Sequence, residues 1–274
     1  MSTKALYAVM LALLLPLVSY FIVKRYSDSA LVMPPHYYPD SIINVIRNGK
    51  ESSDTIWHRI PDFNLTNQLG EKISLKDISK INGNDTVNKI MVIDFFFTHC
   101  PNICPLMMRN MKRLQESITN SQTIGDKSPD FIKFISFSID PERDSVPRLK
   151  AWANRFQINP DQWWLLTGDK KTIYNFCIND IKLGLVDGEN MDTNFIHSDR
   201  FVLIDHNRNV RGYYSGLDTM SLAKLSRDII LLDLEKDPKE KSFFAGKLQL
   251  ITVSLLIAMV GVGIFLYLFR KKSK

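Results

Sequence analysis

Cysteine is scarce in this chain, with three in 274 residues. A disulfide scaffold is thereby excluded, and the closely spaced pair Cys100 and Cys104 needs another explanation. Internal repeats and low-complexity tracts are absent, so the body is not a repeat array. Nor does a basic stripe with interleaved aromatics cross it. The formal net charge of +6 therefore does not point to a nucleic-acid partner, because part of the surplus sits beside two apolar runs near the ends. With 45% hydrophobic and 23% charged residues, the rest suits one ordinary globular domain carrying extra segments.

Charge is missing altogether from Ala5 to Val23, a run flanked by Lys4 and Lys24-Arg25 and long enough to cross a bilayer core. A small-x-small cleavage site is missing after it as well. Asp28-Ser29-Ala30 puts an aspartate where a small residue belongs, so an uncleaved anchor is expected rather than a signal peptide. Leu248 to Phe269 is the second such run; at about 1.5 Å of rise per helical residue it spans roughly the 30 Å hydrocarbon thickness. Neither run has a polar face, which argues against two buried core helices. The basic tail Arg270-Lys271-Lys272-Ser273-Lys274 is of the kind kept on the cytoplasmic side. The expected layout is an N-terminal transmembrane anchor (1–25), a spacer (26–56), a folded domain (57–236), a linker (237–247) and a C-terminal transmembrane helix with its basic tail (248–274). The domain then lies outside the cytoplasm.

Within the domain, Ile60 to Gly70 alternates and then turns into Lys72-Ile73-Ser74-Leu75, which predicts an opening hairpin. Asn82-Gly83-Asn84-Asp85 is a loop. Ile90 to Phe97 is short, β-branched and aromatic, the pattern of a strand buried on both sheet faces. A helix is predicted from Leu106 to Ile118, a strand over Phe131 to Ile139, a helix over Ser145 to Phe156, a strand over Trp163 to Leu166 and a short helix over Lys170 to Cys177. After an irregular stretch from Asn179 to Ser198, Phe201 to Ile204 and Val210 to Tyr214 pair as a hairpin, and Met220 to Leu234 closes with a helix. This order fits an α/β, thioredoxin-like sandwich, a mixed sheet with helices on both faces.

Cys100-Pro101 and Cys104-Pro105 fall between the central strand and the first helix. Proline is tolerated in a first helical turn, so the cysteines sit at or just before a helix N-terminus, where free N–H groups favour a thiolate. A spacing of four residues lets both sulfurs aim at one point. Two converging thiolates suit Cu(I), with zinc possible, and an imidazole commonly completes such a shell. His197, at the end of the irregular stretch, is the candidate third ligand. A reversible disulfide used for electron transfer stays open for the same pair, as does anchoring of a loop for His197. His99 is read as tuning or packing, Cys177 as a buried small hydrophobe, and Met107, Met108 and Met111 as core. Asp140, Glu142, Arg143 and Asp144 form either a partner-docking loop or a capped, solvated turn.

The run Phe97-Thr98-His99-Cys100-Pro101-Asn102-Ile103-Cys104-Pro105, then Ser138-Ile139-Asp140-Pro141-Glu142-Arg143-Asp144, then a histidine before the Phe201 strand closely resembles the SCO/SenC family of membrane-anchored copper proteins. The resemblance covers roughly Pro61 to Leu234. It implies a thioredoxin fold that binds copper, as Cu(I) or Cu(II), and helps assemble the binuclear copper centre of cytochrome c oxidase subunit II, or serves another copper-receiving membrane protein. It implies a metallochaperone or a thiol reductant in the bacterial inner membrane, with the domain on the periplasmic side; a copper or redox sensor is a third possibility. The family's copper ligands fall on Cys100, Cys104 and His197. Two features depart from the family pattern. Ile196 stands where an aspartate often precedes the histidine, with Asp199 as a substitute, and the second span lies outside the commonest layout of the family.

Overall fold

The computed structural model describes residues 32–47, 50–82, 85–122, 130–183 and 198–235. The chain divides into two units, Met1–Leu234 and Glu235–Lys274, and of the second only Glu235 is among the described residues. Both expected spans, Ala5 to Val23 and Leu248 to Phe269, lie outside the described residues. Among those described, no helix is long and apolar enough to cross a membrane.

In chain order the strands are β1 (Pro39–Arg47), β2 (Lys50–Trp57), β3 (Leu65–Asn67), β4 (Lys72–Ile73), β5 (Ser79–Asn82), β6 (Asp85–Asn88), β7 (Ile90–Phe96), β8 (Ile132–Ser138), β9 (Trp163–Thr167), β10 (Arg200–Ile204) and β11 (Val210–Ser215). The helices are α1 (Ile103–Gln122), α2 (Val146–Arg155), α3 (Lys170–Asn175) and α4 (Thr219–Asp233), and a wider, π-type turn, Phe176–Asp180, follows α3. Helix α1 starts three residues earlier than Leu106, because Cys104 and Pro105 fit its first turn without losing a hydrogen bond.

Seven strands form one sheet in the order β11-β10-β7-β8-β9-β3-β4. Its centre, β7-β8-β9, is parallel, and the flanking strands β10 and β3 run antiparallel to it. Every residue of β7 and β8 is buried, as continuous apolar runs in a sheet covered on both faces require. The crossovers β7-α1-β8 and β8-α2-β9 step in the same direction, so the right-handed rule puts α1 and α2 on one face. Side-chain alternation along β7 identifies that face. Phe96 stacks toward Trp152 of α2, with ring centroids 6.4 Å apart. Its neighbour Phe95 points the other way, stacking on Phe137 at 5.5 Å, and Phe137 meets Phe176 beyond α3 at 5.0 Å. Helices thus cover both faces of a mixed sheet, the thioredoxin-like sandwich. Met107, Met108 and Met111 of α1 are buried in the core, each contributing about 1.5–3 kcal/mol by removal from water.

The segment read as a spacer holds structure of its own. Strands β1 and β2 pair as an antiparallel hairpin, Ile42 opposite Thr55 and Ile46 opposite Glu51, with Ile42 and Ile46 exposed. A two-stranded hairpin with no core to face needs no sustained apolar run, which is why alternation did not announce it. Just before it the chain docks on the β10–β11 hairpin. The buried Arg211 guanidinium donates to the Pro34 carbonyl at 2.7 and 3.1 Å and to Asp205 at 2.9 Å, and the Tyr37 N–H donates to the Val210 carbonyl. Strands β5 and β6 pair antiparallel, with Asn82 opposite Asp85.

Candidate metal and thiol site

The cysteines lie where β7 ends and α1 begins, at the carboxyl rim of the parallel strands, where open sheets of this kind build their sites. Cys104 sits in the first turn of α1, and Cys100 lies three residues before the helix. Spacing on a helix face therefore does not bring them together; helix capping does. The Cys104 N–H points at Cys100 Sγ, 3.4 Å away, so a sulfur takes the place of a capping oxygen over the unpaired N–H groups. Cys100 is 5% exposed and Cys104 4%, and both are free thiols.

The two thiols differ electrostatically. Burial works against a Cys100 thiolate, but the Cys104 thiol and the N–H groups of Cys104, Asn102 and Ile103 outweigh it, and the Cys100 thiol titrates below its usual range. Burial dominates at Cys104, and the neighbouring Cys100 and the Asp94 charge add to it, so this thiol is pushed far above its usual range. Of the two, Cys100 is thus the thiol more readily deprotonated.

Beneath the pair, β7 carries Asp94 on the same face as Phe96 and α1. Its carboxylate is fully buried and accepts a hydrogen bond from the Ser136 hydroxyl across the β7–β8 register, and Ser136 Oγ in turn accepts from Trp163 Nε1 at 2.9 Å. Asp94 Oδ2 has no hydrogen-bond partner among the described residues. Burial outweighs the Ser136 bond and pushes the Asp94 carboxyl up to about 7.

Above the pair, the loop after β8 folds onto the cysteine turn. Asp144 is buried and accepts from the Thr98 N–H at 3.1 Å, from the Thr98 hydroxyl and from the Ser138 hydroxyl at 2.6 Å. Of the four residues read as a docking loop, Asp144 therefore faces inward as a clamp. Asp140 pairs with Arg143 at 2.6 Å, and Glu142 lies 3.7 Å from Lys170, leaving Glu142 and Arg143 as the exposed surface. His99 turns toward this loop: Arg148 Nη1 donates to its Nε2 at 2.9 Å, and its Nδ1 lies 4.0 Å from Asp144. That contact uses the lone pair a metal would need.

Among the described residues, no group of three or more His, Cys, Asp or Glu side chains is arranged to hold a metal ion. His197 lies outside the described residues. Its neighbours are informative. The β10–β7 register pairs Val202 with Ile93 and runs antiparallel, so Ser198 to Arg200 enter β10 at the end of the sheet where β7 delivers the cysteines. The Gly216 N–H donates to the Asp199 carbonyl at 2.6 Å, and the Gly216 carbonyl accepts from Asn110 of α1 at 2.7 Å. The Asp199 carboxylate accepts from Ser215 at 2.5 Å and lies 3.5 Å from Arg200. Cys177 is buried, as read. Sequence reasoning missed Asp94, Ser136, Trp163 and Arg148 as neighbours of the site. Only Asp94 carried a signal, a lone carboxylate inside an apolar strand.

Residues 55–229 match the family model described as SCO1/SenC. A SCO1 protein homolog of Bacillus subtilis (strain 168) is 28% identical over 182 residues, 66% of this chain and 86% of that protein. Among solved structures, a SCO1/SenC family lipoprotein from Bacillus anthracis str. Ames is 29% identical with a TM-score of 0.51, covering 64% of this chain and 95% of that one. BsSco, described as a member of the Sco family of cytochrome c oxidase assembly proteins with a disulfide switch, is 25% identical with a TM-score of 0.51, covering 65% and 95%. A family match over more than half the chain, on a fold that sets two cysteines at a helix start, leads to one conclusion: the chain belongs to the SCO1/SenC family.

Proposed function

We propose that the protein is a membrane-anchored metallochaperone that holds copper through Cys100, Cys104 and His197 and delivers it to the binuclear centre of cytochrome c oxidase subunit II. The observation that carries this reading is the capped thiol pair: two soft donors, shielded from solvent, one of them turned toward first-turn N–H groups that favour its thiolate form. That donor set fits Cu(I). When bound, copper would supply the cargo itself, and the chain's residues would bind it, orient it and keep water away. His197 is the third donor in this reading, supported by the anchoring of Ser198 to Arg200 at the cysteine end of β7 and by His99 being engaged with Arg148. The Ala5 to Val23 and Leu248 to Phe269 runs would hold the domain on the periplasmic face of a bacterial inner membrane.

One observation favours a second reading. A low-lying Cys100 thiol beside a high-lying Cys104 thiol is the asymmetry of a thiol-disulfide reductase, in which Cys100 attacks a partner disulfide and Cys104 resolves the mixed disulfide. The test is copper stoichiometry of the reduced, full-length chain beside Cys100→Ala, Cys104→Ala and His197→Ala. A carrier binds about one copper per chain and loses or weakens it in all three variants. No specific copper, with a readily cycling disulfide that His197→Ala leaves intact, would establish the reductase instead.

A further inference from the structure

Helix α1 carries a feature that neither copper binding nor thiol exchange uses. Arg109, Lys112 and Arg113 on α1, with Arg155, Phe156 and Gln157 at the end of α2, line one open cleft of about 350 Å³. Four cations line it, and no acid. Part of this charge has a structural role, since Lys112 Nζ donates to the Gln157 carbonyl at 2.9 Å and complements the negative end of α2. Lys112 also lies 3.7 Å from Glu116, and the Arg155 guanidinium sits 5.4 and 5.5 Å from the Trp152 and Phe156 rings. Arg109 and Arg113 are different. Both are exposed, and neither side chain forms an ion pair or hydrogen bond among the described residues.

Their position links the cleft to the site. Leu106, Arg109 and Arg113 follow the i, i+3, i+7 spacing of one helix face. Leu106 is 46% exposed and stands two residues beyond Cys104. Arg113 lies nine positions beyond Cys104, about 14 Å along the helix. Leu106, Arg109 and Arg113 thus make one exposed face of α1 that begins in the same first turn as Cys104, on the side of the helix turned away from that buried thiol.

We propose that this face and its cleft dock an acidic polypeptide segment of the protein that meets the cysteine pair, with carboxylates against Arg109 and Arg113 and an apolar side chain against Leu106. Charge complementarity selects an anionic occupant. The arrangement selects a polypeptide over a single phosphate, because the cations are strung along two helical turns and interrupted by apolar surface rather than converging on one point. The proposal holds whether the partner receives copper or electrons.

The test uses the full-length chain and fluorescein-labelled octaglutamate, followed by anisotropy at low and physiological salt. Salt-sensitive binding is expected, weakened about tenfold or more in R109E/R113E. R109Q/R113Q should fall between, and K76E/R227E, which alters net charge equally at two exposed positions elsewhere, should bind like the parent. Far-UV circular dichroism of all variants checks that each is folded. Equal loss in K76E/R227E would overturn the proposal, as would no binding of the peptide. Preferential binding of glycerophosphoglycerol or inorganic phosphate would overturn it in favour of a lipid headgroup or a free anion.

Discussion

Two buried aspartates, Asp94 under the cysteine turn and Asp144 over it, have opposite electrostatic fates. Asp144 accepts three hydrogen bonds from Thr98 and Ser138, and its charge is compensated. Asp94 accepts from Ser136 alone, keeps one oxygen without a partner among the described residues, and has its carboxyl raised to about 7. A satisfied buried carboxylate fixes geometry, whereas a half-satisfied one stores an electrostatic cost. The rim is built to hold the cysteine turn still; the floor is built to oppose negative charge above it. That opposition falls on Cys104, the thiol nearer the floor in electrostatic terms, and spares Cys100.

Breaking the rim should give the largest effect. Asp144→Ala leaves the Thr98 N–H and two hydroxyls without their acceptor, and on the order of 3–5 kcal/mol of stability should be lost in urea unfolding. Asp144→Asn, which keeps part of the acceptor set, should lose less. The contrast between the thiols should come next. At pH 7, iodoacetamide should modify Cys100 in Cys104→Ala about a hundredfold faster than Cys104 in Cys100→Ala, equivalent to about 2.7 kcal/mol in barrier. The pH midpoint for Cys100 should lie below that of a free cysteine; similar rates would sink the asymmetry.

The floor should show itself as a pH slope. An acid with a raised value binds its proton more tightly in the fold than in the unfolded chain. Asp94 therefore contributes most below its unfolded value of about 4, and that contribution is lost as pH rises to about 7. Relative to Asp94→Asn, the parent should lose on the order of 2–3 kcal/mol between pH 4 and 8, and parallel pH profiles would contradict the raised carboxyl. Arg148→Ala should matter least. The Arg148–His99 contact is exposed, and its loss should cost under about 1 kcal/mol in urea unfolding.

The same contrast explains how much was legible in the sequence. The core strands, the cysteine turn and the hairpin of β10 and β11 announce themselves, because burial on two faces demands uninterrupted apolar residues and turns demand glycine, proline or asparagine. Asp144 stood in a recognisable motif, yet its inward orientation depends on Thr98, forty-six residues away in sequence, a pairing that no local pattern carries. The docking of Pro34 and Tyr37 on β10 and β11 was hidden for the same reason, since Arg211 reads as an ordinary charged residue in a strand until its partners are placed. Helix spacing was also the wrong reason for the convergence of the sulfurs. Cys100 is outside α1, and capping by the helix N–H groups brings the pair together.

The central claim, a copper carried by the thiol pair, is tested most directly by X-ray absorption at the copper edge on the reduced, full-length chain loaded with one equivalent. Two sulfur neighbours and one nitrogen per copper are predicted, falling to one sulfur in Cys100→Ala or Cys104→Ala and to no histidine scattering in His197→Ala. A shell without sulfur, or one unchanged in all three variants, would contradict the assignment.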